Sequence, residues 1–180
     1  MLTMLDRVPE RVAARIRLLL ASVPDEEAAT RYLERLRQAS PSAFDRITSS
    51  PAALQSAANI FAYSAFLSDA VLKNPEQILQ VASSGNFYRV LPVEEYEERL
   101  YDFLGAGHGG VPSGVELARF RRRQMLRIAL RDVQGVAELA EITEELSSLA
   151  DAILSVAYRH LRDDFVMRHG EPRLADGSPC

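Results

Sequence analysis

The chain reads as all-α, a helical bundle that closes on a long C-terminal helix pair, and three observations carry that reading. Apolar residues recur at spacings of three and four along nearly the whole length, while no run alternates apolar and polar residues as a half-buried strand would. Prolines repeatedly follow a small polar residue and open such a spaced stretch, which is the arrangement of an N-cap followed by the first helical position. The 180 residues are 47% apolar with no Trp and few aromatics, so the core has to be built from Leu, Ala, Ile and Val. A chain of this length removes about 70% of its unfolded surface on folding, enough for one compact domain or two small ones.

Taken in order, Pro9 leads into Val12, Ile16, Leu19 and Leu20, and Pro24-Asp-Glu-Glu27 places acid at a helix N-terminus ahead of Tyr32, Leu33 and Leu36. Ser40-Pro41 opens a short helix with Phe44 and Ile47. Ser50-Pro51 opens a longer one with Leu54, Ala58 and Phe61. The stretch from Phe66 to Leu72 is apolar enough to be central to the core, and Asn74-Pro75 starts another helix. Pro92-Val-Glu-Glu-Tyr-Glu-Glu98 begins a helix that turns Leu100 and Phe103 inward and carries an acidic flank.

Gly105-Ala-Gly-His-Gly-Gly-Val-Pro-Ser-Gly114 is the clear break in the pattern and reads as a linker. A dinucleotide-type phosphate loop needs a strand before it and a glycine turn running into a helix; here a helical pattern precedes and Pro112 intervenes. From Leu139 through Ile142, Leu146, Leu149, Ile153, Ala157, Leu161 and Phe165 the helical spacing continues to a stop at Gly170, with a cap-competent Thr143-Glu-Glu marking a kink. The expected organisation is a helical region over 1–104, the linker over 105–114, a helix pair over 115–170 and a tail over 171–180.

Between the linker and that last helix lies the most informative stretch, Leu117 to Asp132, which sets Arg119, Arg121, Arg122, Arg123, Arg127 and Arg131 on one apolar run without Gly or Pro. Arg119, Arg123, Arg127 and Arg131 recur every four residues as a drifting, self-repelling ladder. A helical wheel turns Arg121 and Arg122 toward the arc of Leu117, Ala118, Met125, Ile128 and Ala129, and makes these two the inward arginines. A guanidinium taken out of water costs several kcal/mol unless it is paired. Two kinds of partner fit: carboxylates of neighbouring helices, from the Glu94–Glu98 flank or from Glu138, Glu141, Glu144, Glu145 and Asp151, or the phosphates of a nucleotide.

The same residues carry a family resemblance. Phe120-Arg-Arg-Arg-Gln-Met-Leu-Arg-Ile-Ala-Leu-Arg-Asp132 resembles the arginine-rich helix of bacterial glutamine synthetase adenylyltransferases, bifunctional enzymes that attach AMP to glutamine synthetase and remove it. The likeness extends upstream through Ala65-Phe66-Leu67-Ser68-Asp69 and Asn74-Pro75, and downstream through Leu146-Ser-Ser-Leu-Ala150 to His169-Gly170-Glu171-Pro172, covering the last two thirds of the chain. It is closest to the helical lead-in of the first of the family's two nucleotidyltransferase halves, the half associated with deadenylylation. The resemblance implies ATP and Mg²⁺ as cofactors of a parent enzyme, and glutamine synthetase and the PII signalling protein as its partners.

In that family the lead-in is followed by a strand, a Gly-Lys-Leu-Gly-Gly loop and a Ser-Asp-Ile-Asp carboxylate pair, and the tail over 171–180 would run toward the first catalytic strand. No Asp-x-Asp occurs in these 180 residues. Nucleotidyl transfer needs closely placed carboxylates to hold Mg²⁺ against the triphosphate. The expectation is therefore a helical portion that contributes no catalytic residue of its own, with a freestanding helical protein-interaction module as the alternative.

The remaining features exclude several function classes. The net charge of -4 gives no general drive toward nucleic acid, and the basic ladder lies among apolar residues rather than on an open face. One cysteine, Cys180, allows neither an intrachain disulfide nor a Cys-based zinc site, and His108, His160 and His169 form no i, i+4 pair for a metal. No Gly-x-Ser-x-Gly elbow is present. No apolar run reaches the roughly 18 residues of a membrane span, and Met1 to Asp6 lacks the pattern of a signal peptide, so a cytoplasmic protein that binds neither membrane nor nucleic acid is expected.

Overall fold

The computed structural model describes Leu5, residues 8–105 and residues 110–174, and these hold nine helices and no strand. They are α1 (Glu10–Ser22), α2 (Glu26–Ala39), α3 (Pro41–Ser49), α4 (Pro51–Tyr63), α5 (Ala65–Lys73), α6 (Glu76–Ala82), α7 (Val93–Leu104), α8 (Gly114–Val133) and α9 (Leu139–His169). The all-α expectation holds, and each Pro-led start is where the local chemistry puts it. Asp25 accepts from the Ala28 amide at 2.8 Å ahead of α2, and Ser50 accepts from the Ala53 amide at 3.3 Å with Pro51 as first residue of α4. Ser64 does the same for α5 through the Leu67 amide at 3.3 Å. Each cap satisfies an amide that the first helical turn leaves without an intrahelical acceptor.

The chain divides into two compact units, residues 1–89 with 125–142, and residues 90–124 with 143–180. In the first unit α4 is the central helix. Ala53, Leu54, Ala57, Ala58, Ile60 and Phe61 are all buried on it, which requires partners on several sides, and α2, α3, α5 and α6 supply them. Tyr32 of α2 stacks on Phe61 at 5.5 Å between ring centroids. Where α4 meets α5, the buried Ser68 hydroxyl donates to the carbonyls of Ser64 (2.8 Å) and Ile60 (3.1 Å), so a polar residue sits in the core without an unsatisfied group. Leu126 and Leu130 of α8 complete this core. The Phe66–Leu72 stretch is only partly as expected: Leu67 and Val71 are buried, but Phe66 lies 62% exposed.

The second unit packs α7 with the first part of α8 and with α9 from Thr143 onward. Leu91, Tyr96, Leu100, Phe120, Leu149, Ala152 and Val156 are its buried apolar residues, and Phe103 meets Phe120 with centroids 5.7 Å apart.

Both ends of α8 are locally encoded. At its start, α8 carries a reciprocal capping box: the Glu116 amide donates to Ser113 Oγ (3.3 Å), while the Ser113 amide and hydroxyl donate to Glu116 Oε2 (2.8 and 2.7 Å). At its end, Gly135 takes φ +64°, with its amide bonded to the Asp132 carbonyl and the Val136 amide to the Arg131 carbonyl. This paired 5→2 and 6→1 arrangement needs a left-handed residue, which glycine supplies without a Cβ penalty. α9 starts at Leu139, where the helical spacing begins in the sequence, and continues through Thr143; Glu141 Oε2 accepts from the Glu138 amide at 3.0 Å at that terminus. Gly170 follows the last turn with φ +79°, where the stop was expected. Part of the glycine-rich linker, 106–109 with His108, and the end of the tail, 175–180 with Cys180, lie outside the described residues.

Candidate functional site

The six arginines of α8 fall into two groups that the four-residue ladder does not separate. Arg119, Arg121 and Arg123 are exposed and Arg122 is half-buried, whereas Arg127 is 3% and Arg131 0% exposed. The helical wheel turned Arg121 and Arg122 inward, and the structure places Arg121 in solvent. The inward seam of α8 is instead Phe120, Gln124, Arg127 and Arg131, all buried, at spacings of four, three and four. Leu117 and Ala118, which anchored the expected inward arc, are half-buried and exposed.

Arg127 is held by main chain. Its Nη2 donates to the carbonyl oxygen of Asn86, at 2.5 Å, and to that of Arg89, so one guanidinium ties down the loop between α6 and α7. Carbonyl oxygens carry partial negative charge and solvate a buried cation. Arg131 lies 3.9 Å from Glu141 Oε2, with no exposure of its own side chain and 43% exposure of the carboxylate. Glu141 thus links the α9 terminus, through the Glu138 amide, to the buried guanidinium of α8. This is one of the five acidic residues expected to meet arginines across the α8–α9 contact. Gln134, one residue beyond α8, donates to Ser56 on α4 at 3.2 Å.

In the second unit the buried charge is a carboxylate. Glu145, fully buried, accepts from the Tyr96 hydroxyl at 3.0 Å and from the Leu91 amide at 3.2 Å, joining the start of α7 to α9. The acidic flank of α7 also reaches α9. Glu97 accepts from Arg159 Nη2 at 2.5 Å, and the same guanidinium donates to Tyr101 Oη at 3.2 Å and Ser155 Oγ at 3.1 Å. The Arg159 hydrogen bond holds the Glu97 carboxyl below the usual carboxylate range against the opposing effect of burial, and the Glu97 bond in turn raises the Arg159 guanidinium. Glu95 pairs with Arg99 one turn along the helix at 2.8 Å.

Sequence reasoning did not single out Glu145 with Tyr96 as a pair, or Arg159 at all. Neither has a local signal: the partners are 49 and 62 residues apart. The Ser113–Glu116 box did have one, the Ser-x-x-Glu spacing, hidden within a glycine-rich stretch. Among the described residues no three His, Cys, Asp or Glu side chains gather where they could hold a metal ion, and no helix is long and apolar enough to cross a membrane. The arrangement provides buried charge, met by main-chain carbonyls, a carboxylate and a tyrosine hydroxyl, that fixes helices against each other and against a loop.

Comparison with known proteins gives this framework a family. The sequence model described as glutamate-ammonia ligase adenylyltransferase matches residues 54–180. Among curated proteins, the bifunctional glutamine synthetase adenylyltransferase/adenylyl-removing enzyme of Thioalkalivibrio sulfidiphilus is 32% identical over 120 residues, covering 67% of this chain and 12% of that protein. The enzyme of the same name from Pseudomonas syringae pv. tomato is 33% identical over 113 residues, 63% of this chain and 12% of its own length, and that from Shewanella loihica is 27% identical over 153 residues, 85% and 16%. No solved structure matches. The chain spans about an eighth of the length of the first of these relatives. With the family match running through α4 to the end of α9 and beyond, the chain belongs to the glutamate-ammonia ligase adenylyltransferase family.

Proposed function

We propose that this chain is the non-catalytic helical portion of a glutamine synthetase adenylyltransferase/adenylyl-removing enzyme, and that its own contribution is to support a nucleotidyltransferase domain. The observation that carries the reading is the combination of a family match over residues 54–180 with a sequence that contains no Asp-x-Asp pair. The parent enzyme would act in the cytoplasm on glutamine synthetase, with ATP and Mg²⁺, under the control of the PII signalling protein. Bound there, Mg²⁺ would neutralise charge on the triphosphate during AMP transfer. The residues of this chain do not fit that group: the buried guanidiniums of Arg127 and Arg131 are turned to carbonyl oxygens and to Glu141, and the described residues offer no carboxylate cluster. No catalytic step is therefore assigned to them.

A second reading keeps Arg119, Arg121 and Arg123 as phosphate-facing groups, because all three are solvent-exposed on the first part of α8. Two measurements separate these. The purified chain, incubated with glutamine synthetase, labelled ATP and Mg²⁺, is expected to transfer no AMP; incorporation would overturn the non-catalytic reading. Its melting temperature is expected to stay unchanged when MgATP is added, both in the unaltered chain and in Arg122→Met. ATP-dependent stabilisation lost on substitution of the exposed arginines would establish the phosphate-facing reading instead. The reading frame beyond codon 180 tests the parent assignment directly: a glycine-rich loop followed by a paired-aspartate motif is the expected continuation, and a stop codon would leave a freestanding helical module.

A further inference from the structure

We propose that residues 86–91 form a strap fastened at both ends by buried charge, through which Arg127 of α8 and Glu145 of α9 are energetically coupled. The chain passes from one compact unit to the other at 89–90, at 124–125 and at 142–143. The second and third of these crossings lie inside α8 and α9, where helical hydrogen bonds hold the backbone. The first lies in the loop between α6 and α7 and has no helix to hold it. Arg127 follows the crossing within α8 by less than one helical turn, and Glu145 follows that within α9 by as little. Both side chains bind the backbone of the loop that carries the remaining crossing.

Each anchor lies within its own unit. On the first side the Arg127 guanidinium donates to the carbonyls of Asn86 and Arg89, the Phe87 amide donates to the Ser84 carbonyl at 3.4 Å, and Phe87 is buried in the core centred on α4. On the second side the Leu91 amide donates to Glu145 Oε1 at 3.2 Å, Tyr96 donates to the same oxygen at 3.0 Å, and Leu91 is fully buried. Only Val90 separates the last carbonyl bound by Arg127 from the amide bound by Glu145. Peptide planes are rigid, so the φ and ψ of this single residue relate the direction of the one group to that of the other. The entropy lost in ordering the strap is therefore offset by both anchors jointly. Once one anchor is removed, the other holds a segment that opens more often. The coupling runs along the covalent chain.

Native-state hydrogen exchange of the full chain, read amide by amide by NMR, tests this. In Arg127→Met the Leu91 amide is expected to exchange about tenfold faster relative to the Val156 amide of the same unit, although its acceptor Glu145 is untouched. In Glu145→Leu the Phe87 amide is expected to accelerate by about the same factor relative to Ile60, because a coupling free energy is reciprocal. Tyr96→Phe weakens the Glu145 anchor without removing it, and as the milder variant is expected to shift Phe87 in the same direction. In the double variant Arg127→Met with Glu145→Leu, the loss of stability in urea is expected to fall short of the sum of the single losses by that tenfold factor, about 1.4 kcal/mol. Acceleration confined to residues 86–89 in Arg127→Met would make the two anchors independent and overturn the proposal. Acceleration shared equally by Val156 would overturn it as well, since that is a general loss of stability, and so would additive losses in the double variant.

Discussion

Replacing Arg127 with Met tests the claim that this buried cation is structural. The substitution keeps an unbranched, helix-compatible stem of similar reach and removes the guanidinium. Two carbonyls, those of Asn86 and Arg89, then lose a charged donor at a position where the side chain is 3% exposed. A hydrogen bond to a charged group contributes about 1.5–3 kcal/mol, and an orphaned buried acceptor costs about 1–3 kcal/mol. Against this, Met no longer carries the desolvation penalty of a buried charge, which offsets part of the loss. Backbone carbonyls cannot be substituted away together with their donor, so the sign stays destabilising, by about 2 kcal/mol net. For a chain of this size that is a fall in melting temperature of about 4–8 °C. Urea unfolding followed at 222 nm is the assay, with Arg121→Met as the exposed control, expected within about 0.5 kcal/mol of the unaltered protein. Equal midpoints for Arg127→Met and the unaltered chain, or a larger loss in the Arg121 control, would refute the reasoning.

Three further outcomes follow from the second unit. Tyr96→Phe removes the hydroxyl donor to buried Glu145 and is expected to cost about 1.5–3 kcal/mol by urea denaturation, with Glu145→Gln milder than Glu145→Leu because the amide still accepts from the Leu91 amide. Glu97 has a folded-state pKa below its unfolded value, so its stabilising effect is complete above the unfolded pKa and fades as pH falls through the folded one; Glu97→Gln is expected to flatten the acid limb of a stability profile below about pH 4.3 and leave the slope near neutrality unchanged. Ser113→Ala opens the capping box of α8 and is expected to cost about 1 kcal/mol, read as a lower urea midpoint at constant m value.

Much of the fold was readable because its signals are local. Asp25, Ser50 and Ser64 begin helices where a side-chain oxygen meets an amide three residues on, and Pro41 and Pro51 occupy first-turn positions where their missing N–H costs nothing. Gly135 and Gly170 end helices because each takes a left-handed φ. α9 begins at Leu139, where the apolar spacing begins, with Glu141 reaching the Glu138 amide, and Thr143 lies inside the helix.

The arginines mark the limit. A helical wheel gives angles between residues of α8 but no absolute direction, and the residues of that helix are apolar enough to permit more than one inward arc. Packing of Phe120, Leu126 and Leu130 decided the direction, and with it that Arg127 and Arg131 are buried while Arg121 is exposed. The sequence by itself determined helix content, most helix boundaries and the family, since caps, periodicity and motif wording are properties of contiguous residues. Tertiary structure alone decided which charges lie inside and what meets them. Asn86 with Arg127, Tyr96 with Glu145 and Glu97 with Arg159 come from segments 41, 49 and 62 residues apart, and partners that distant are chosen by packing and desolvation rather than by spacing along the chain.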